Sequence, residues 1–339
     1  MDTYARGRRI ALAVAATAVL TLFTALSAPA HAAPGDDEGG TPQLRQALDE
    51  ATRGFLDAQA KLEQSRKRQT ELNAKLVSVE AQVAALGPQT VEIAKELYRT
   101  GGSLRTASAL LSARSPNGLM DGAARLSALA MHNDRQLRNF QRLKADLTEA
   151  QNQLAAELTN QEQQLAAMAK RKADAERALA QAGGGQSASG PGGSSSARAQ
   201  PAPRRPDGTW PPETCSVKDP STSGCLTPRT LHAHNQARAA GFMNFRACYR
   251  SGGGGEHPKG RACDFAAQPG GFGGVAQGPD RVYGNNLAAY FLNNASRLGV
   301  LYVIWFRQIW LPSSGWKTYN GGNGDPASDH TNHLHLSVY

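Results

Sequence analysis

A small set of metal-binding residue types stands out in the last third of the chain. His257 and Asp264 lie seven positions apart in the segment CYRSGGGGEHPKGRACDF, and the segment DHTNHLH at 329–335 adds three histidines. A catalytic zinc ion takes three nitrogen or oxygen ligands from the protein and leaves a fourth position to water. Two ligands from one loop and strand can converge with a third from a distant strand. The sequence therefore predicts a site for one zinc ion.

These motifs, H-x6-D followed by H-x-H, resemble the zinc D-Ala-D-Ala carboxypeptidases of the LAS metallopeptidase superfamily. The resemblance covers residues 209–339 and is closest to actinobacterial carboxypeptidase-like secreted domains. It implies that His257, Asp264 and His335 ligate the zinc ion.

The same resemblance implies catalytic roles for three further residues. His333 would flank the water beside the ligands, and His330 stands where some LAS endopeptidases carry another active-site histidine. Arg250 matches an arginine that stabilises the developing oxyanion. A guanidinium at this position could instead bind the terminal carboxylate of the substrate.

The sequence departs from the family pattern at two positions. The Glu or Asp base expected three residues before the last ligand is Asn332, which cannot accept a proton. The role of base would pass to His333 or His330, both of which titrate near neutrality, or to Glu256 or Asp329. Glu256 also replaces the serine that commonly precedes the first histidine.

Four cysteines, all in the last 125 residues, predict disulfides in an oxidising compartment. Three pairings are open. We favour Cys215 with Cys225 and Cys248 with Cys263, because each pair is close in sequence. A cysteine zinc site is the alternative, although no C-x-x-C spacing supports it.

The segment that carries these residues, 209–339, has an α+β pattern. Thr227-Pro228 begins one predicted helix and Gly299 closes a second at 285–298. Predicted strands are FRACYRS, RACDFAA, the apolar LYVIWFRQIW and the alternating HLHLSVY, which places His333 and His335 on one face. We expect a small domain with a mainly antiparallel sheet.

Residues 41–181 predict a long antiparallel coiled-coil hairpin in front of this domain. Seam positions alternate spacings of four and three from Leu44 to Leu86 and from Leu126 to Leu179. Gly87-Pro88 is predicted to end the first helix, and residues 89–125 to form a tip of short helices. The region resembles the N-terminal coiled coils of actinobacterial secreted NlpC/P60 endopeptidases, notably in VEIAKELYRTGGSLRTASALLSARSPNGLMDG.

Between hairpin and domain, residues 182–208 are rich in Gly, Ser and Pro and predict a flexible linker. Such a linker would let the domain swing away from the hairpin. At the start of the chain, residues 1–32 predict a secretory signal peptide, with three arginines before an apolar run and cleavage near Ala32. An uncleaved membrane anchor is the alternative.

Composition narrows the class of partner. The net charge of +9 suits an anionic cell envelope, and simple solubility explains it equally well. Nucleic acid is not expected as a partner, because basic and acidic residues are interleaved along the helices. The predicted localisation is extracellular and associated with the cell wall.

The sequence therefore supports a secreted zinc peptidase acting on peptidoglycan stem peptides, either a D,D-carboxypeptidase or an endopeptidase. The alternative is a catalytically inactive wall-binding or regulatory module that retains the metal site, which Asn332 favours. A third hypothesis is a purely structural partner of a membrane-associated division or wall-remodelling protein, bound through the coiled coil.

Overall fold

The structure, a computed structural model, describes residues 41–99, 108, 111–112 and 115–339. The predicted signal peptide and residues 100–107 of the predicted tip lie outside the described residues. Within those ranges, no helix combines the length and apolar character needed to cross a membrane. The chain folds as a long antiparallel helical hairpin followed by a small α+β domain, which confirms the predicted fold class.

Two helices form the hairpin: α1 (Pro42–Arg99) and α2 (Pro116–Gln181). Ser115 caps α2, where its hydroxyl accepts a hydrogen bond from the backbone N–H of Gly118 at 3.1 Å. Midway along the hairpin, Arg68 donates to Glu157 at 3.1 Å. The antiparallel pairing therefore brings the two ends of the hairpin sequence together beside the domain.

Helix α1 continues through Pro88, so the predicted helix end at Gly87-Pro88 is wrong. A proline inside a helix costs roughly 3 kcal/mol, partly because its ring crowds the preceding residue. Gly87 has no Cβ to be crowded, and Phe140 of α2 packs 3.9 Å from the place that a Cβ would take. Packing against α2 keeps α1 helical, and the tip is shorter than the predicted 89–125.

The domain is built around a six-stranded antiparallel sheet with the order β3-β4-β8-β5-β6-β7. Its strands are β3 (Arg246–Ala247), β4 (Ala262–Ala266), β5 (Val300–Trp305), β6 (Gln308–Leu311), β7 (Gly315–Thr318) and β8 (His333–Val338). The strands β1 (Val217–Lys218) and β2 (Cys225–Leu226) form a separate pair, and the helices are α3 (Pro228–Ala239), α4 (Gly278–Asn293) and α5 (Ala295–Leu298). The last strand therefore lies between β4 and β5, at the centre of the sheet.

The two faces of the sheet pack against different partners. Leu334, Leu336 and Val338 belong to the main core of the domain, which includes residues of α3, α4 and α5. The other face packs against the hairpin base, which we define as residues 44–56 of α1 and 175–179 of α2. Because side chains alternate along a strand, His333, His335 and Ser337 lie on the face toward the hairpin base.

Residues 182–208 differ from the flexible linker that their composition predicts. The backbone N–H of Ala188 donates to the carbonyl of Trp316 at 3.1 Å, and Ala199 and Ala202 are buried. Gly190 adopts φ +78°, and a Cβ there would meet the Trp316 ring at 2.5 Å. Small side chains thus let this segment lie close against the domain, and the domain packs on the hairpin base.

The two disulfides form with the predicted pairing, Cys215 with Cys225 and Cys248 with Cys263. They join positions 10 and 15 residues apart. Both lie within the C-terminal domain, and Cys248 and Cys263 flank the loop that carries His257. Their presence fits an oxidising compartment.

Reduction of these disulfides is expected to destabilise the domain and to leave the distal hairpin folded. Each bond typically contributes ~2–4 kcal/mol by restricting the unfolded chain, whereas residues 41–181 contain no cysteine. Hydrogen exchange with and without reductant measures both parts in one sample. A hairpin around residues 65–90 that lost protection together with the domain would contradict this expectation.

Candidate metal centre

The three predicted ligands meet on the sheet face toward the hairpin base. Asp264 of β4 and His335 of β8 are direct cross-strand partners, and His257 comes from the loop before β4. His257 Nε2 lies 3.2 Å from Asp264 Oδ1 and 3.1 Å from His335 Nδ1. Asp264 Oδ1 lies 2.9 Å from His335 Nδ1. Together these three residues could hold one metal ion.

The outer nitrogens of both histidines are fixed by hydrogen bonds. His257 Nδ1 bonds to the carbonyl of Cys248, and His335 Nε2 lies 2.8 Å from Ser337 Oγ. A carbonyl only accepts, so His257 Nδ1 carries a hydrogen, and in the neutral ring that a metal ion requires Nε2 turns a lone pair inward. If His335 Nε2 donates to Ser337, His335 Nδ1 likewise turns a lone pair toward the site. Three acceptor atoms then face one another, an arrangement that a bound cation stabilises. Hydrogen bonds at the outer ring nitrogens, as seen here, are typical of metal-ligating histidines.

Replacing Ser337 with alanine is expected to weaken metal binding by about 10–100-fold, because the loss of an outer hydrogen bond frees the His335 ring. Competition with a chromogenic chelator measures the affinity for zinc. Ser314→Ala, in the turn between β6 and β7, is the matched control. Equal affinities for the two variants would show that the Ser337 hydroxyl does not orient His335.

Asp264 is ionised in this environment. Burial alone would raise its pKa, but the charges of protonated His257 and His333, and the hydrogen bonds that protonated inner nitrogens of His257 and His335 donate, hold that pKa well below the usual range. Arg250 Nη1 donates to Asp264 Oδ2 at 2.8 Å. The Arg250 side chain is 27% exposed, so it marks the edge of the site.

His333 lies beside the three ligands, with its Nε2 3.6 Å from Asp264 Oδ1. Its Nδ1 bonds to Asn332 Oδ1 at 2.7 Å, and Asn332 Nδ2 donates to the carbonyl of Gly273 at 2.8 Å. Because an amide oxygen only accepts, His333 Nδ1 carries a hydrogen, and in the neutral ring Nε2 faces the site with a lone pair. Asn332, the departure from the family pattern, thus orients the neighbouring histidine.

His330 completes a group of three histidine rings. Its ring centroid lies 4.8 Å from that of His333 and 5.8 Å from that of His335. Its backbone φ is +53°, a left-handed conformation that is uncommon outside glycine. Burial, reinforced by His333 and His335, holds the pKa of His330 well below its usual value, so its imidazole is neutral.

The two acidic alternatives for the base are engaged by cations. Glu256 pairs with Lys259 at 2.7 Å and with Arg53 of α1 at 3.2 Å. Asp329 accepts a hydrogen bond from Arg307 Nε at 2.8 Å. These ion pairs leave the two histidines as the better-placed proton acceptors.

Sequence reasoning missed three residues that shape the site. Ser337 lies two positions after His335, and strand alternation alone could have placed it on the same face. The Tyr302 ring stacks on the His335 ring with 5.7 Å between the ring centroids, and no sequence signal indicates this contact. Asp219 accepts hydrogen bonds from the backbone N–H groups of Ser221 and Tyr249, which fixes the segment leading to Arg250. Its run DPSTSG is typical of a side-chain-capped turn.

Residues 222–333 match the family model described as VldE, C-terminal domain, which is related to D-Ala-D-Ala carboxypeptidase-like proteins. The match includes His257 and Asp264 and ends two residues before His335. It covers less than half of the chain, so it characterises the domain and not the hairpin. No curated protein matches the chain. No solved structure matches it either.

Proposed function

We propose that the protein is a secreted zinc metallopeptidase that hydrolyses stem-peptide bonds of peptidoglycan, as a D,D-carboxypeptidase or an endopeptidase. The observation that carries the proposal is the buried group of His257, Asp264 and His335. Its place in a domain related to D-Ala-D-Ala carboxypeptidase-like proteins supports the choice of substrate. The two disulfides fit a location outside the cytoplasm.

The donor set supports zinc as the metal. Two imidazole nitrogens and one carboxylate oxygen are typical of catalytic zinc sites, with metal–ligand distances of about 2.0–2.2 Å. Tetrahedral ligands at such distances lie about 3.3–3.6 Å apart. The separations of 2.9–3.2 Å among the three ligand atoms are shorter than that range by about 0.1–0.4 Å, so small outward shifts of the side chains would admit the ion.

Zinc at this site would supply Lewis acidity and an activated water. The chain itself would supply proton transfer and charge stabilisation. His333 Nε2, held toward the site by Asn332, would accept the proton and later donate it to the leaving amine. Arg250 would offer a fixed cation to the developing oxyanion, or would bind the terminal carboxylate of a stem peptide.

The end of the hairpin farthest from the domain would contact a partner at the membrane or in the wall. Two paired helices bury only one stripe each, so apolar side chains elsewhere stay exposed. Tyr98 is 90% exposed, and Leu111 and Met120 are also largely exposed. A division or wall-remodelling protein with a complementary apolar helix would cover these residues.

The test is digestion of purified peptidoglycan by the full-length secreted chain loaded with zinc. Mass spectrometry distinguishes released D-Ala, expected from a carboxypeptidase, from cleaved crosslinks, expected from an endopeptidase. Asp264→Ala is the control and should give neither product. Bound zinc without any cleavage of peptidoglycan would instead support an inactive wall-binding module.

A further inference from the structure

The metal centre has little contact with solvent. His257, His330 and His335 are 0% exposed, and Asp264 and His333 are 2% exposed. Of the proposed site residues, Arg250 alone has appreciable exposure. A peptide bond must contact both the metal and these side chains to be hydrolysed, so the site as it stands does not admit a peptidoglycan stem.

The hairpin base covers the sheet face that carries the ligands. Ile304 of β5 is the cross-strand partner of His335, so the two side chains share a face. Ile304 is buried in one cluster with Leu48 of α1 and Leu179 of α2. Tyr302, whose ring stacks on His335, belongs to the same cluster. The hairpin therefore packs on the layer of side chains directly beside a metal ligand.

Polar contacts of α1 also reach the loop that carries His257. Arg53 Nη2 lies 3.2 Å from Oε2 of Glu256, the residue before His257. Arg45 is buried against the glycine-rich loop, where a Cβ on Gly254 would lie 2.6 Å from its guanidinium. The same helix thus contacts the loop that supplies His257 and strand β5, which lies next to the strand that supplies His335.

The main core of the domain does not include this contact. It lies on the opposite face of the sheet, between Leu334, Leu336 and the helices that include Phe291 and Ala237. Both disulfides also lie within the domain. The hairpin base could therefore separate from the sheet while the main core of the domain stays folded. A partner bound at the far end of the hairpin could drive this movement.

We propose that the hairpin base is an inhibitory cap over the metal centre, and that it must move aside before substrate can enter. This proposal rests on the proposed peptidase function for its biological meaning, but its physical content is access to the metal. It assigns the hairpin a regulatory role in addition to partner binding.

The experiment measures how fast a chelator removes zinc from the full-length protein. Leu48→Asp places a charge in the apolar contact, and Arg53→Glu places one beside Glu256. Both are expected to accelerate zinc removal at least about tenfold, since burying an unpaired charge costs more than the 1.4 kcal/mol that a tenfold change requires. Arg68→Glu, the same charge reversal at the Glu157 contact far from the domain, is the matched control and should remove zinc at the wild-type rate.

Hydrolysis of stem peptides by the same variants separates the two proposals. The capped wild type is expected to be slow, and both base variants faster by a similar factor. Zinc removal at one rate from the wild type, a folded Leu48→Asp and a folded Arg53→Glu would overturn the cap. Should Leu48→Asp fail to fold, Arg53→Glu alone decides. Faster zinc removal without any hydrolysis would uphold the cap and overturn the peptidase.

Discussion

Alanine at His257, Asp264 or His335 is expected to reduce bound zinc from one ion per chain to nearly none. Three protein ligands are the usual set of a catalytic site, and two would leave the ion weakly held. The Asp264 variant should also lose stability, because it removes the buried anion that His257, His333 and Arg250 surround. Elemental analysis of full-length protein after dialysis against a weak chelator measures the zinc content.

His232→Ala is the matched control, since it removes an imidazole from the same domain. His232 lies on α3, where it bonds to the carbonyl of Gln200 at 2.8 Å, away from the ligand group. Circular dichroism before and after dialysis separates lost ligation from lost folding. If all three ligand variants kept as much zinc as His232→Ala, the metal would have to bind elsewhere.

Much of the site could be predicted because its chemistry is encoded locally. The alternation of HLHLSVY places His333 and His335 on one face whatever the neighbouring strands are. Pairing of β8 with β4, which brings His335 opposite Asp264, is a long-range contact that no local pattern specifies. A resemblance to known zinc sites supplied the ligand set that the residue pattern alone left open.

The position of the hairpin base could not be predicted. Leu44, Leu48 and Phe55 fit a coiled-coil seam, and the spacing is the same whether the seam faces a second helix, a sheet or both. A low-complexity composition likewise predicted a mobile linker for residues 182–208. Composition does not reveal where a glycine such as Gly190 lets the backbone approach a tryptophan.

Asn332 shows how a residue type can be read correctly while its role is missed. The sequence indicates only that a proton acceptor is lost at this position. The structure gives Asn332 two bonds, one to His333 and one to Gly273, which together fix the ring and its tautomer. An orienting partner cannot be identified until the side chains on both sides of it are placed.

His333→Ala is expected to retain zinc and to lower turnover of stem peptides by about 10²–10⁴-fold, the usual contribution of a positioned acid–base group. Arg250→Ala should also retain zinc and lose about 10²–10³-fold, as when one oxyanion donor is removed. Turnover is measured by mass spectrometry in the wild-type and Leu48→Asp backgrounds, so that cover by the hairpin does not mask the effect. Zinc content is measured on the same samples.

Asn332 supplies the matched pair of variants for this test. Asn332→Ala removes the acceptor of the His333 Nδ1 hydrogen and should lower turnover with zinc retained. Asn332→Asp keeps that acceptor and restores a carboxylate, so its turnover should equal or exceed that of the wild type. Because both substitutions lose the bond to Gly273, a difference between them reports on the acceptor at His333 Nδ1 together with the added carboxylate. Full activity in His333→Ala would move the role of base to His330, the other histidine of the group, whose imidazole is neutral and buried beside the ligands.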